Sequence, residues 1–296
     1  WMPSAPESLI IYNSREKDRF VSHIRNLFTG ESRQLPLPVY AVSNDGKLAL
    51  SVNFARIHKM RPGYGYVGLA DPWEDELAPA DDGIYLMDIE TGEYKLIISI
   101  KQIVEFKHKD SMDGCKHYFN HLLFNSDNSR FLFLHRWRKK NLLYTRMFTV
   151  NVDGSDIFHL SDQISHFDWY NSSQILAWEY FHNHYLLFTD KTSKKEIVGE
   201  GVLTSDGHCS YSPDRKYILT DTYPDAKQMR RLILYRVVDG KRINPGDFFS
   251  PPELTGEIRC DLHPRWSRDG KKICIDSAHE GSRQIYVLNV SEIVGK

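Results

Sequence analysis

Four histidines recur at one position of a repeated pattern. His121, His166, His208 and His263 each stand three places ahead of an aromatic residue, in H-L-L-F, H-F-D-W, H-C-S-Y and H-P-R-W. A single such histidine would ordinarily be a packed, hydrogen-bonded imidazole. Four in register ask for another reason, because packing alone does not select imidazole at every copy. Imidazoles gathered at one place hold a divalent metal or move protons near neutral pH. Around the last of them, R-C-D-L-H at 259–263 adds Asp261. Asp261 and His263 are two apart, so an extended chain turns both to one side. His208, Asp261 and His263, completed by His121 or by water, are the expected metal group. Cys209 and Cys260 alternate to the other side and read as core thiols.

The elements that position these residues follow from the repeat. An aromatic or apolar residue, Ser or Asn, a polar residue, Asp, and Gly or a substitute recur before a strand. The copies are V-S-N-D-G at 42–46, F-N-S-D-N at 124–128, Y-S-P-D-R at 211–215 and W-S-R-D-G at 266–270, with a worn W-Y-N-S-S at 169–173. The D-G or D-N pair suits a hairpin turn with positive φ. A second hairpin follows in most units, through Asp153-Gly154 and Asp239-Gly240 for example. Four strands per unit, with steps of 45, 42 and 55 residues between the copies that start at Phe124, Trp169, Tyr211 and Trp266, describe β-propeller blades. The expectation is one all-β propeller domain over 1–296. Six units are recognisable and the first is headless, which predicts seven blades, the missing strand or blade lying upstream or being closed by the C-terminal segment. No long amphipathic helix competes; 99–106 suits a short one.

In a propeller the first strand of each blade lines the central channel, and its start shares a face with the end of the second strand. That face then collects Asn53 and Arg56, His135 and Arg136, Tyr180, Asp221 and Tyr223, and Asp276 with His279. Arg146 is expected to begin the third strand of its blade, close by. A loop of about 30 residues carries R-P-G-Y-G-Y at 61–66, and loops that long inside a compact domain are usually functional. It adds Arg61 and Tyr64. Arg56, Arg61, Tyr64 and Arg136 are thus candidate contacts to an anionic substrate.

Arginine, histidine, tyrosine and a metal at one mouth suit β-elimination from a uronate sugar. A cation must neutralise the carboxylate, which acidifies the α-proton. A base must take that proton, and histidine does so near neutral pH. A donor must protonate the leaving glycosidic oxygen. Stabilising the developing enolate charge is the largest demand.

The W-S-x-D-G-K repeat, the channel-mouth histidines and the D-L-H pair resemble those of the propeller polysaccharide lyases. The resemblance is strongest to oligogalacturonate lyases, with ulvan lyases as cousins, and runs from His117 to the C-terminus. Oligogalacturonate lyases hold a manganese-type ion with three histidines and a glutamine, and use a further channel histidine as base. The resemblance implies His208 and His263 as ligands, with manganese expected and zinc or calcium as alternatives. It implies His166 as the base and Arg146 as the arginine for the substrate carboxylate. The chain departs from the pattern at Asp261, where the third ligand histidine would stand, and at 258–260, which carry no glutamine. In ulvan lyases paired histidines act with a tyrosine and an arginine, parts that His121, His135, Tyr223 and Arg136 would take.

Other readings stay open. A non-catalytic propeller that binds a sugar or a protein, as Tol-type propellers do, is the main alternative. A hydrolase would favour paired acids, and the expected channel mouth is poor in glutamate. Acidic and basic residues nearly balance, at a formal net charge of -1, which points away from nucleic acid and anionic membranes. Basic residues bunch at 136–140 and at Arg230 and Arg231, where a solvated loop is expected. Four cysteines without C-x-x-C pairing predict no disulfide framework. The compartment stays open between cytoplasm and periplasm of a bacterial-type protein. The expected partner is an anionic oligosaccharide.

Overall fold

The computed structural model describes residues 1–295. Its strands form six antiparallel sheets, each a meander of sequential neighbours. They are the blades of a β-propeller, and the chain divides into two compact units, Trp1–Asp162 and Gln163–Lys296.

The first unit holds three sheets. β1–β3 are Leu9–Glu16, Arg19–Asn26 and Ser32–Leu35; β4–β7 are Ala41–Val42, Leu48–Ser51, Gly83–Asp88 and Tyr94–Ser99; β8–β11 are His117–Phe124, Arg130–Lys139, Leu142–Asn151 and Phe158–Asp162. The second unit holds the other three. β12–β15 are Ile164–Trp169, Gln174–Glu179, His184–Thr189 and Lys195–Val198; β16–β19 are Ser210–Tyr211, Tyr217–Asp221, Met229–Arg236 and Lys241–Phe249; β20–β22 are Arg265–Trp266, Lys272–Ser277 and Gln284–Asn289. The sheets match the six recognisable repeats. A seventh blade is not among the described residues, and the first and last sheets have three strands instead of four.

The repeated turn shows why the motif recurs. Ser43 Oγ donates to Asp45 at 2.6 Å, Asp45 accepts the amide of Lys47 at 3.1 Å, and Gly46 sits at φ 74°. Ser212, Asp214 and Arg215 (φ 63°) repeat it, as do Ser267, Asp269 and Gly270 (φ 68°). In each copy the serine hydroxyl leads in holding the aspartate below its ordinary range. The local hydrogen bonds therefore fix the hairpin from first to second strand. Strand alternation then sends Leu50, Phe131, Phe133 and Phe148 into the first unit's core, and Leu219, Leu234, Ile273 and Ile275 into the second's.

Two departures from the sequence expectation matter for function. The second strand of the second sheet stops at Ser51, and helix α1 (Phe54–Met60) follows, with the Asn53 side chain accepting from the Arg56 amide. That cap turns Asn53 and Arg56 into a helix start instead of a strand end. Arg56 is 2% exposed. It donates to the carbonyls of Trp73, Glu76, Leu77 and His117 and pairs with Asp71 at 3.1 Å, so it holds the long loop in place. The expected short helix is present as α2 (Ile100–Glu105), capped by Ser99.

The second departure is the β9–β10 hairpin, which turns at Lys140 and Asn141 with φ 50° and 67°. Residues 136–139 are strand rather than solvated loop, and Arg146 lies mid-strand opposite His135. Arg146 donates to His135 Nδ1 at 3.1 Å and to the carbonyls of Ile103, Phe106 and Lys107. With Nδ1 accepting, His135 Nε2–H donates to His117 Nδ1 at 2.9 Å. His117 Nε2–H is left to the carbonyl of Met112, at 3.4 Å. This chain of donors keeps both imidazoles neutral. Burial pushes His117 down to about 4 and His135 well below its ordinary value. Unfolded histidines take protons near 6.5, so the unfolded state binds more protons between that value and about 4. Stability must therefore fall as pH drops through this window and level off below it. The expected loss is roughly 1–2 kcal/mol per buried histidine between pH 6.5 and about pH 5. Denaturant titrations across that range check it, and replacing both histidines by phenylalanine should flatten the slope.

Candidate active site

The second unit gathers three of the four registered histidines. His166 lies in β12, where the pairing with β13 shifts register between Ile164 and Phe167. His208 and His263 each lie two residues before the first strand of their blades, β16 and β20. The His166 and His208 ring centroids are 4.1 Å apart, and those of His208 and His263 are 4.0 Å apart. His208 is therefore the middle ring of a row of three.

Gly207 brings His208 to its place. A Cβ there would lie 1.9 Å from the carbonyl oxygen of Asp221, so only glycine lets this chain approach the end of β17. The His208 amide then donates to Asp221 Oδ1 at 2.7 Å, and Nδ1 lies 2.9 Å from both carboxylate oxygens. Burial raises the Asp221 pKa, but the His208 hydrogen bond and charge outweigh it, and the carboxyl stays below its ordinary value. With Nδ1–H held by Asp221, Nε2 is the lone-pair nitrogen of His208.

His166 is oriented the same way. Its Nδ1 donates to Asp206 Oδ1 at 2.9 Å, and the other oxygen of Asp206 accepts the Tyr180 hydroxyl at 2.8 Å. Tyr223 completes the cluster, 6.3 Å by centroid from both His166 and His208. Burial, followed by the charges of Asp206 and Asp261, pushes its phenol above the ordinary value and keeps it protonated.

Ligand atoms of His208, Asp261 and His263 all lie within 4.8 Å of one another. This is the group expected from the sequence. His263 holds a left-handed backbone, φ 40°, and is exposed overall, yet desolvation of its ring followed by the charge of His208 pushes its pKa down. Asp261 is 3% exposed and has two further partners. Arg230 Nη2 lies 2.8 Å from Oδ1, while Arg259 Nε and Nη2 lie 2.8 and 2.6 Å from Oδ2. Both guanidinium groups flank Tyr223, at 5.9 and 5.5 Å from its ring. Two imidazoles and a carboxylate with open positions fit a divalent first-row ion. The carboxylate behind His208 supplies the outer hydrogen bond that such a ligand needs, and Asp261 Oδ1 has no directed hydrogen bond. The two guanidinium charges on Asp261 weaken the hold without removing the donors.

The remaining candidates lie in the first unit. His121 sits in a bulge of β8 at φ 54°, its amide donating to the Tyr40 hydroxyl at 2.8 Å, with the Tyr64 ring 6.2 Å away. Arg61 lies over the Tyr64 ring at 3.8 Å and bonds its hydroxyl. Tyr66 of the same loop instead stacks on Phe54 at 4.5 Å. Arg136 points inward from β9. Arg56, His135 and Arg146 are buried and committed to their own unit, so they offer a ligand no contact in this arrangement. Asp206, Arg230 and Arg259 were not singled out as site residues from the sequence. Asp206 had a signal, since it stands two residues before His208 and shares its side. Arg259 had the same signal, standing two residues before Asp261 in R-C-D-L-H, whereas Arg230 had none, because only the fold brings its blade to Asp261.

No protein-family model matches the chain, and no curated protein matches it. Solved structures do. An oligogalacturonate lyase in complex with manganese superposes with a TM-score of 0.68 at 16% identity, covering 99% of this chain and 77% of that one. The oligogalacturonate lyase of Vibrio parahaemolyticus gives 0.65 at 16% identity, over 97% and 76%. TolB from Acinetobacter baumannii gives 0.55 at 12% identity, over 96% and 61%. At these identities the likeness is one of fold, and in fold this chain is similar to the oligogalacturonate lyases along nearly its whole length.

Proposed function

We propose that the second-unit cluster cleaves a uronate-containing oligosaccharide by β-elimination. The observation that carries this reading is the row of three imidazoles, in which His166 stands beside the metal group without belonging to it. His166 has its Nδ1 tied to Asp206, which leaves Nε2 to take the α-proton of the uronate. Asp206 keeps that tautomer and steadies the imidazolium that forms. Tyr223, held protonated, is placed to donate to the leaving glycosidic oxygen. Arg259, whose side chain is 36% exposed, is the accessible cation for the substrate carboxylate. His208, Asp261 and His263 would hold a divalent ion, manganese being the one present in the similar lyase structure. Bound there, such an ion would neutralise the carboxylate and acidify the α-proton.

The test is the ultraviolet absorbance of the unsaturated uronate product. Purified protein is incubated with oligogalacturonides, ulvan and other uronic acid glycans, with manganese, zinc or calcium and with chelator. A metal-dependent rise on one substrate class supports the lyase. No rise on any of them, with metal shown to bind, would instead favour a propeller that binds its sugar without cleaving it.

A further inference from the structure

Arg136 is the anomaly of the first unit. It is 6% exposed, yet its Nε and Nη1 have no hydrogen-bond partner. Buried arginines elsewhere in that unit are well provided for, Arg56 by Asp71 and four carbonyls, and Arg146 by three carbonyls and His135. Arg136 stands in β9 directly opposite Tyr118 of β8, so the two share a face, and Asn120 follows two residues along that face. The Tyr118 hydroxyl and both polar atoms of the Asn120 side chain are also buried without partners. Around this guanidinium the charged and phenolic neighbours are Tyr118, Arg61, Tyr40 and Tyr64. Among the described residues no carboxylate pairs with Arg136.

Two positive charges, several hydroxyl or amide donors and no acid make a cluster complementary to an anion. A guanidinium presents two parallel N–H groups that match a carboxylate. Tyr64, whose ring carries Arg61 on one face, is 38% exposed and borders this cluster. We propose that Arg136 and Arg61, with Tyr40, Tyr64, Tyr118 and Asn120, form a subsite for the carboxylate of a sugar residue, built wholly from the first unit. Only the identity of the sugar rests on the lyase reading. A sulfate ester would address the same donors, so the two anions are compared directly.

The experiment is calorimetric titration of the full chain, in chelator, with galacturonate, galactose sulfate and galactose. Galacturonate is expected to bind and galactose is not. Arg136→Met should weaken the uronate by about tenfold or more and at the same time raise the melting temperature of the unliganded protein. That pairing separates ligand recognition from a structural role, because a structural arginine would lower the melting temperature when replaced. Arg61→Gln, a replacement nearer the surface, should weaken binding to a lesser degree. A variant with His166→Ala and His208→Ala should keep the isotherm that Arg136→Met loses. Equal binding of galactose, stronger binding of the sulfate, an unchanged isotherm in Arg136→Met and Arg61→Gln, or loss of binding in the double histidine variant would each overturn the proposal. Absent turnover with the isotherm intact would defeat the lyase reading and leave this subsite standing.

Discussion

Replacing His166 by alanine is expected to lower the rate of uronate elimination by about 10²–10⁴-fold, the usual contribution of a positioned base. The loss should fall on kcat, since Arg259 and the metal group are untouched and continue to bind the carboxylate. Asp206→Asn should cost less than the alanine change, because the ring remains and only its tautomer and imidazolium lose their carboxylate. The Tyr180 hydroxyl, bonded to the same aspartate, would then be the remaining partner of that side chain. Initial rates of unsaturated product at saturating and limiting substrate separate the two parameters. A His166→Ala protein that turns over at the wild-type rate would move the base to another imidazole of the row.

The second large effect is on stability. Asp261→Asn removes the carboxylate that Arg230 faces in a site where both side chains are 3% exposed. The change leaves a guanidinium buried beside a neutral amide, and breaking a buried pair from one side costs about 3–5 kcal/mol. Arg259 pairs with the same aspartate from a more open position, and replacing it by glutamine should cost under about 1 kcal/mol. Chemical denaturation in chelator reads both without interference from metal binding. Equal stabilities for the wild type and Asp261→Asn would mean that Arg230 has another acceptor, and would remove the electrostatic account of Asp261.

Blade architecture was legible because its turn is a local device. The serine, aspartate and left-handed residue act within five positions, so each copy can be read without knowing its neighbours. The histidine register was legible for a related reason, since a fixed offset from the turn places a residue at the same point of each blade. His208, Asp261 and His263 came from that register together with strand alternation. Arg146, His135 and Arg56 were misplaced because the lengths of strands and the start of α1 decide which end of a blade a residue occupies. The Lys140–Asn141 turn lengthens β9 and β10, and the Asn53 cap begins a helix where a strand was expected. Neither is set by the repeat. Arg230 was out of reach because its meeting with Asp261 joins two blades, whereas Arg259 stands two residues before Asp261 and follows from the same alternation.

The segment Asp206-Gly207-His208 has a thermodynamic consequence. Its first residue orients His166 of the preceding blade, its last is oriented by Asp221, and its middle residue allows the close approach that both depend on. Any displacement of these three residues reaches two imidazoles at once. The free energies of changes at Asp206, Gly207, His166 and His208 should therefore not add, and the coupling between them measures how far the row behaves as one cooperative unit.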